Sequence, residues 1–202
     1  MKIISNKQKA KEELNRISAR TTFENNNKIN LVVEDILQEV KTYGDAAVEK
    51  FTKKFDGFNP DPMRISSHEL EKAWDETDSN LKSSLKNAYE RIRKFHEKEI
   101  PTSFTVKGKY GDSVERRWMP VQKAGIYIPG GRAAYPSTVL MNSIPAKVAG
   151  VNEILMVSPG NKEGHINKTV LAAAHLSGID KVFRIGGAQA IGALAFGTKQ
   201  IE

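Results

Sequence analysis

Two polar side chains in the last third of the chain stand where a ligand would be handled. Tyr127 lies in the apolar run Ala124-Gly-Ile-Tyr-Ile-Pro-Gly-Gly131, and Gln189 stands in the first turn of Gly187 to Phe196, a stretch otherwise made of Gly, Ala, Ile, Leu and Phe. Each has a glycine pair beside it, Gly130-Gly131 and Gly186-Gly187. A glycine turn after a strand lets backbone approach a ligand, and the helix start that follows offers N–H donors with no partner inside the helix. Glycines in such places also make tight turns that bind nothing. The polar pair favours a ligand, because an amide on an apolar helix has to be satisfied, either by a bound nucleotide or by a neighbouring loop.

The familiar reactive signatures are missing. No G-x-G-x-x-G occurs, and the Gly187 to Gly192 spacing of a phosphate-binding loop is followed by Ala193-Leu194 where Lys and Ser/Thr are needed. Ser158 lacks the leading glycine of a nucleophile elbow, since Met156 holds that place. His96-Glu97 begins like a zinc-protease helix, but Ile100 stands where the second histidine belongs. His68, His96, His165 and His175 are scattered without ligand spacing, and the absence of cysteine removes thiolate metal sites, disulfides and a cysteine nucleophile. From the residues alone, no catalytic base, nucleophile or metal site assembles.

The elements that carry Tyr127 and Gln189 repeat. Three short apolar runs centred on Tyr127, Leu155 and Phe183 are 28 residues apart, and each leads through glycine into a helix-like stretch: Ser137 to Ala149, Ile166 to Leu176, and Gly187 to Phe196. Strand, glycine turn and helix at this period predict right-handed βαβ units with a parallel sheet. Pro145 is expected to kink or split the first of these helices.

Upstream, Ile29, Val32, Val33, Ile36, Leu37 and Val40 form one apolar helical stripe, and Leu81, Leu85, Ala88, Ile92 and Phe95 form another. Asp45 is expected to cap a helix running to Phe55, and a short helix is expected from Ser67 through Trp74. The aromatics Phe51, Phe55, Trp74 and Phe95 read as core. Pro101 ends the long helix, and residues 102–120 suggest a hairpin around Gly111-Asp112. The fold expected is therefore α/β: an N-terminal helical region over residues 1–101, then a hairpin and an incomplete Rossmann-like parallel βα unit over residues 102–202.

Composition sets the frame. The 202 residues are 39% hydrophobic and 27% charged, as in a soluble domain, with a net charge of +7. That charge is diffuse: residues 1–120 carry +3 and residues 121–202 carry +4. The densest basic cluster, Arg91, Arg93 and Lys94, is interleaved with Glu90 and Glu97 and reads as a solvated helix face, so no nucleic-acid partner is expected. No apolar run has signal-peptide or membrane-span length, so a cytoplasmic chain without a membrane partner is expected.

Several motifs resemble histidinol dehydrogenase: Ala124 to Gly131, Tyr135-Pro-Ser-Thr-Val-Leu-Met141, Pro145-Ala-Lys-Val-Ala-Gly150, and Ile185-Gly-Gly-Ala-Gln-Ala-Ile-Gly-Ala-Leu-Ala-Phe-Gly-Thr198. Asp35 to Lys41, Tyr43-Gly-Asp45 and Phe55-Asp56 are similar to that family's N-terminal region. The resemblance implies a zinc-dependent homodimer that oxidises L-histidinol through L-histidinal to L-histidine with two NAD+ in succession. It implies that Tyr127 and Gln189 contact NAD, with Pro129 shaping the same pocket wall. It also implies that this chain is the N-terminal part of the family's chain, without the downstream zinc ligands and acid/base pair, and inactive alone. The alternative expectation is a stand-alone nucleotide-binding module without catalysis.

Overall fold

The structure, a computed structural model, describes residues 3–18, 27–130 and 133–202. Among them are eight helices, α1 (Lys7–Ser18), α2 (Asn27–Tyr43), α3 (Asp45–Phe55), α4 (Ser67–Asp75), α5 (Ser79–His96), α6 (Pro136–Val148), α7 (Lys168–Leu176) and α8 (Gly187–Phe196). Six strands accompany them: β1 (Arg64–Ile65), β2 (Phe104–Lys107), β3 (Ser113–Arg116), β4 (Lys123–Tyr127), β5 (Glu153–Val157) and β6 (Lys181–Phe183). Gly131, the last residue of the expected first glycine turn, lies outside the described residues.

The three repeated runs are β4, β5 and β6, and they pair in parallel, Tyr127 against Val157 and Val157 against Phe183. The sheet order is β1-β6-β5-β4, with β1 antiparallel to β6 through Arg64↔Phe183 and Ile65↔Val182. A strand from residues 1–101 thus completes the sheet of residues 102–202.

Period-two alternation sorts the strand side chains onto two cores. Ile126, Ile154, Met156 and Val182 join Leu140, Ile144, Val170 and Leu85, which places α5, α6 and α7 on one face. Leu155, Val157 and Phe183 join Val40, Val48, Phe51 and Ala190 on the other, under α2, α3 and α8. Each fully buried side chain of this kind stabilises by about 1.5–3 kcal/mol, so β5, buried on both faces, anchors the sheet. Helix α8 sits close because glycine meets it from both sides. A Cβ on Gly125 of β4 would lie 2.9 Å from Leu194 Cδ1, and one on Gly192 of α8 would lie 3.1 Å from Leu37 Cδ2.

At the strand starts, Glu153 accepts from Lys181 at 2.7 Å and from Lys123 at 3.1 Å. The Lys181 bond, with help from Lys123, holds the Glu153 carboxyl below the usual carboxylate range. Asp180 similarly takes Lys147 Nζ and the Ile154 N–H, each at 2.8 Å.

Some local expectations need correction. Gly44 is the residue before α3, with φ 56°, and Asp45 is the first helical residue; its carboxylate accepts from the Gln200 N–H at 3.2 Å instead of capping its own helix. The short helix expected from Ser67 forms as α4, with Ser66 before it as the cap, its hydroxyl accepting from the Glu69 N–H. Phe55 is 51% exposed and Phe95 is 63% exposed, whereas Phe51 is buried in the core under α2, α3 and α8 and Trp74 packs against the core on the other face. The α2 stripe is buried only in its second half: Ile36 and Val40 are covered, while Ile29 and Val32 face outward. Pro145 lies inside α6, which runs unbroken from Pro136 to Val148, so the proline does not split the helix.

The expected hairpin forms from β2 and β3, paired Phe104↔Arg116 to Lys107↔Ser113, and all eight strand residues are exposed. Arg93 pairs with Glu90 at 2.9 Å and also with Glu97, and Arg91 and Lys94 are exposed, so the basic cluster lies on a solvent-facing helix surface. No helix among the described residues is long and apolar enough to cross a membrane.

Candidate functional site

The carboxyl ends of β4, β5 and β6 run into three turns that touch one another. Pro159, after β5, stands between the other two: a Cβ on Gly130 would lie 2.6 Å from Pro159 Cγ, and one on Gly186 would lie 2.6 Å from Pro159 Cβ. The glycines are therefore required by the proline, which wedges the first and third turns at a fixed spacing. Nothing in the local sequence of Ser158-Pro159-Gly160 marks this role; it needs the parallel register that brings the three ends level.

Tyr127 and Gln189 meet at the start of α8. The Tyr127 hydroxyl, half-buried at the end of β4, accepts from the Gly187 N–H at 3.1 Å. Gly186 precedes the helix without a side-chain cap, so the tyrosine supplies from across the sheet an acceptor that Ser or Asp supplies elsewhere. Gln189 is two residues on, 1% exposed, and neither its Oε1 nor its Nε2 has a hydrogen-bond partner. The neighbouring-loop alternative is thus not realised in this structure. A buried amide left unpaired costs about 1–3 kcal/mol, which makes Gln189 the most conspicuous orphan near the strand ends.

One side of this end is braced by charge. Arg184 follows β6, its backbone N–H donates to Met63 O at 2.9 Å, and its guanidinium holds Glu69 of α4 at 3.2 Å. Sequence reading did not single out Arg184, Glu69 or Pro159. The histidines do not converge: His96 pairs with Glu99, and His175 stacks on Trp74 with ring centroids 6.1 Å apart. Among the described residues, no three His, Asp or Glu side chains come together to hold a metal. A groove of about 370 Å³ lies at the opposite end of the sheet, between the ends of α5 and α6, lined by Ile100, Trp118, Met119 and Val148.

Parallel βα units covered by helices on both faces, with glycine turns, a helix start and two polar side chains gathered at the strand ends, make this a protein of the α/β class. The family model for histidinol dehydrogenase matches residues 19–202, and the chain belongs to that family. It is 79% identical over 202 residues to histidinol dehydrogenase of Prochlorococcus marinus (strain MIT 9312), covering all of this chain and 46% of that relative. With the enzyme of Carboxydothermus hydrogenoformans it shares 44% identity over 203 residues, again 46% of the relative. The crystal structure of histidinol dehydrogenase from Elizabethkingia anophelis superposes with a TM-score of 0.81 at 36% identity, over 86% of this chain and 40% of that one. The chain spans about half the length of the curated relatives it matches.

Proposed function

We propose that this chain carries the NAD-binding part of an enzyme that oxidises L-histidinol through L-histidinal to L-histidine. The carrying observation is the Gln189 amide, buried and unpaired two residues into α8, beside the Tyr127 hydroxyl. Family membership supports the substrate, and this pair supports a cofactor site within residues 102–202. A nucleotide offers both donors and acceptors, which is what a carboxamide with two orphaned atoms needs. When bound, NAD+ supplies the hydride acceptor for each oxidation step.

In this reading Tyr127 orients the α8 start by holding Gly187, Gln189 binds the nucleotide, Pro159 spaces the turns, and the exposed Pro129 shapes the pocket wall. The zinc, the homodimer and the cytoplasmic setting implied by the family belong to the same reading; no residue of this chain is assigned to the metal, and no step is derived through it. The 202-residue chain is expected to bind NAD+ weakly and not to turn over histidinol.

The test is calorimetric titration of the chain with NAD+, together with absorbance of NADH on adding histidinol and zinc. Binding that Gln189→Ala weakens at least tenfold, with no NADH formed, supports the reading. No detectable NAD+ binding overturns the placing of the site, and NADH production by the chain alone overturns the statement that catalysis needs more than these residues.

A further inference from the structure

We propose that Gly187 is a positioning residue of the candidate nucleotide site, a single position that sets both Tyr127 and Gln189. The proposal rests on the NAD-binding reading above and names the device that arranges it.

Gly187 is exposed at the first position of α8, with φ 66°. Its N–H reaches the Tyr127 hydroxyl at 3.1 Å, which ties the end of β4 to the helix start. An ideal Cβ at this position would lie 2.6 Å from Gln189 Oε1, 3.2 Å from its Cδ and 3.3 Å from its Nε2. The amide therefore occupies the space that any side chain at 187 would claim. Gly186 does a different job: its φ is −139°, and a Cβ there would strike Pro159. Gly187 is the point where backbone donor, left-handed turn and amide seat coincide.

The two demands on Gly187 are separable by substitution. Its φ excludes most residues but admits Asn at modest cost. Any side chain at 187, Asn included, would push the flexible Gln189 amide out of its seat. Gly187→Ala and Gly187→Asn should thus differ in stability yet share one effect, displacement of the Gln189 amide.

The experiment follows the Gln189 side-chain amide by hydrogen exchange in 15N-labelled chain, alongside NAD+ titration, for Gly187→Ala, Gly187→Asn, Gln189→Ala and the Gly187→Ala/Gln189→Ala double variant. In both Gly187 variants the amide is expected to exchange at least tenfold faster, and the NAD+ dissociation constant to rise about tenfold. In the Gln189→Ala background, adding Gly187→Ala should cause no further rise, because the group it displaces is gone. Unchanged exchange in both Gly187 variants overturns the proposal, as does an affinity loss that adds in full to that of Gln189→Ala, or wild-type affinity in Gly187→Asn. Absence of NAD+ binding to the unaltered chain sinks the functional reading instead, and the exchange rates then decide the seating of Gln189 by themselves.

Discussion

The Tyr127 hydroxyl accepts the Gly187 N–H at 3.1 Å, joining the end of the first parallel strand to the start of the last helix across 60 positions of sequence. This bond makes the helix start dependent on a residue that the helix does not contain.

Removing that hydroxyl should be felt at Gly187. For Tyr127→Phe, loss of one hydrogen bond of ordinary strength is expected to cost about 0.5–1.5 kcal/mol. Urea unfolding should show the change as a lower midpoint at constant slope. Backbone hydrogen exchange should show it locally, as faster exchange at Gly187 with little change in β5.

Gln189 should show opposite effects on stability and binding. Gln189→Leu replaces an unpaired buried amide by an apolar group of similar size, so the chain is expected to gain about 1–3 kcal/mol. NAD+ binding should fall in the same variant. Thermal denaturation and calorimetry on one preparation check both; a destabilised Gln189→Leu would mean that the amide has a partner within the chain.

Gly192 carries the close approach of α8 to α2. A Cβ there would meet Leu37 at 3.1 Å and Val40 at 3.3 Å. Gly192→Leu should therefore overpack the second core and destabilise by about 1–3 kcal/mol or more, while Gly57→Asn, at a position with no atom within 4 Å of a Cβ, should cost only the smaller strain of a side chain at its φ of 81°. Chemical denaturation of the two variants makes the comparison.

The Glu153 clamp gives a pH dependence with a definite sign. Its carboxyl is held below the usual range, chiefly by Lys181, so the folded state binds its proton more weakly than the unfolded state does. Its contribution is complete above the ordinary glutamate value and is lost as pH falls through the depressed one. Glu153→Gln should accordingly be less stable than the parent at neutral pH and converge with it in acid. Parallel curves across that range would remove Glu153 from the acid transition.

The repeat of strand, glycine turn and helix was legible because each unit announces itself locally: an apolar run, a glycine, then helical spacing. The bounds expected for α8, Gly187 to Phe196, are those observed. β1 was not legible, since two residues, Arg64 and Ile65, carry no period. Periodicity also reports which face of a helix is apolar but not whether anything covers it, which is why Phe55 and Phe95 were read as core and stand exposed. In the site, the sequence pointed to Tyr127 and Gln189 separately. Their meeting at Gly187, and Pro159 as the wedge between two glycine turns, depend on register between strands and have no local signature.

The pairing of β1 with β6 has a consequence for how the chain is made. Arg64 and Ile65 leave the ribosome long before Phe183 and Val182, to which they hydrogen-bond. The apolar faces of α2 and α3, with Val40, Val48 and Phe51, likewise wait for α8 and the strands beneath it. Such long-range closure slows folding and leaves hydrophobic surface bare during synthesis. These N-terminal helices thus have no covered apolar face until β6 and α8 have been made.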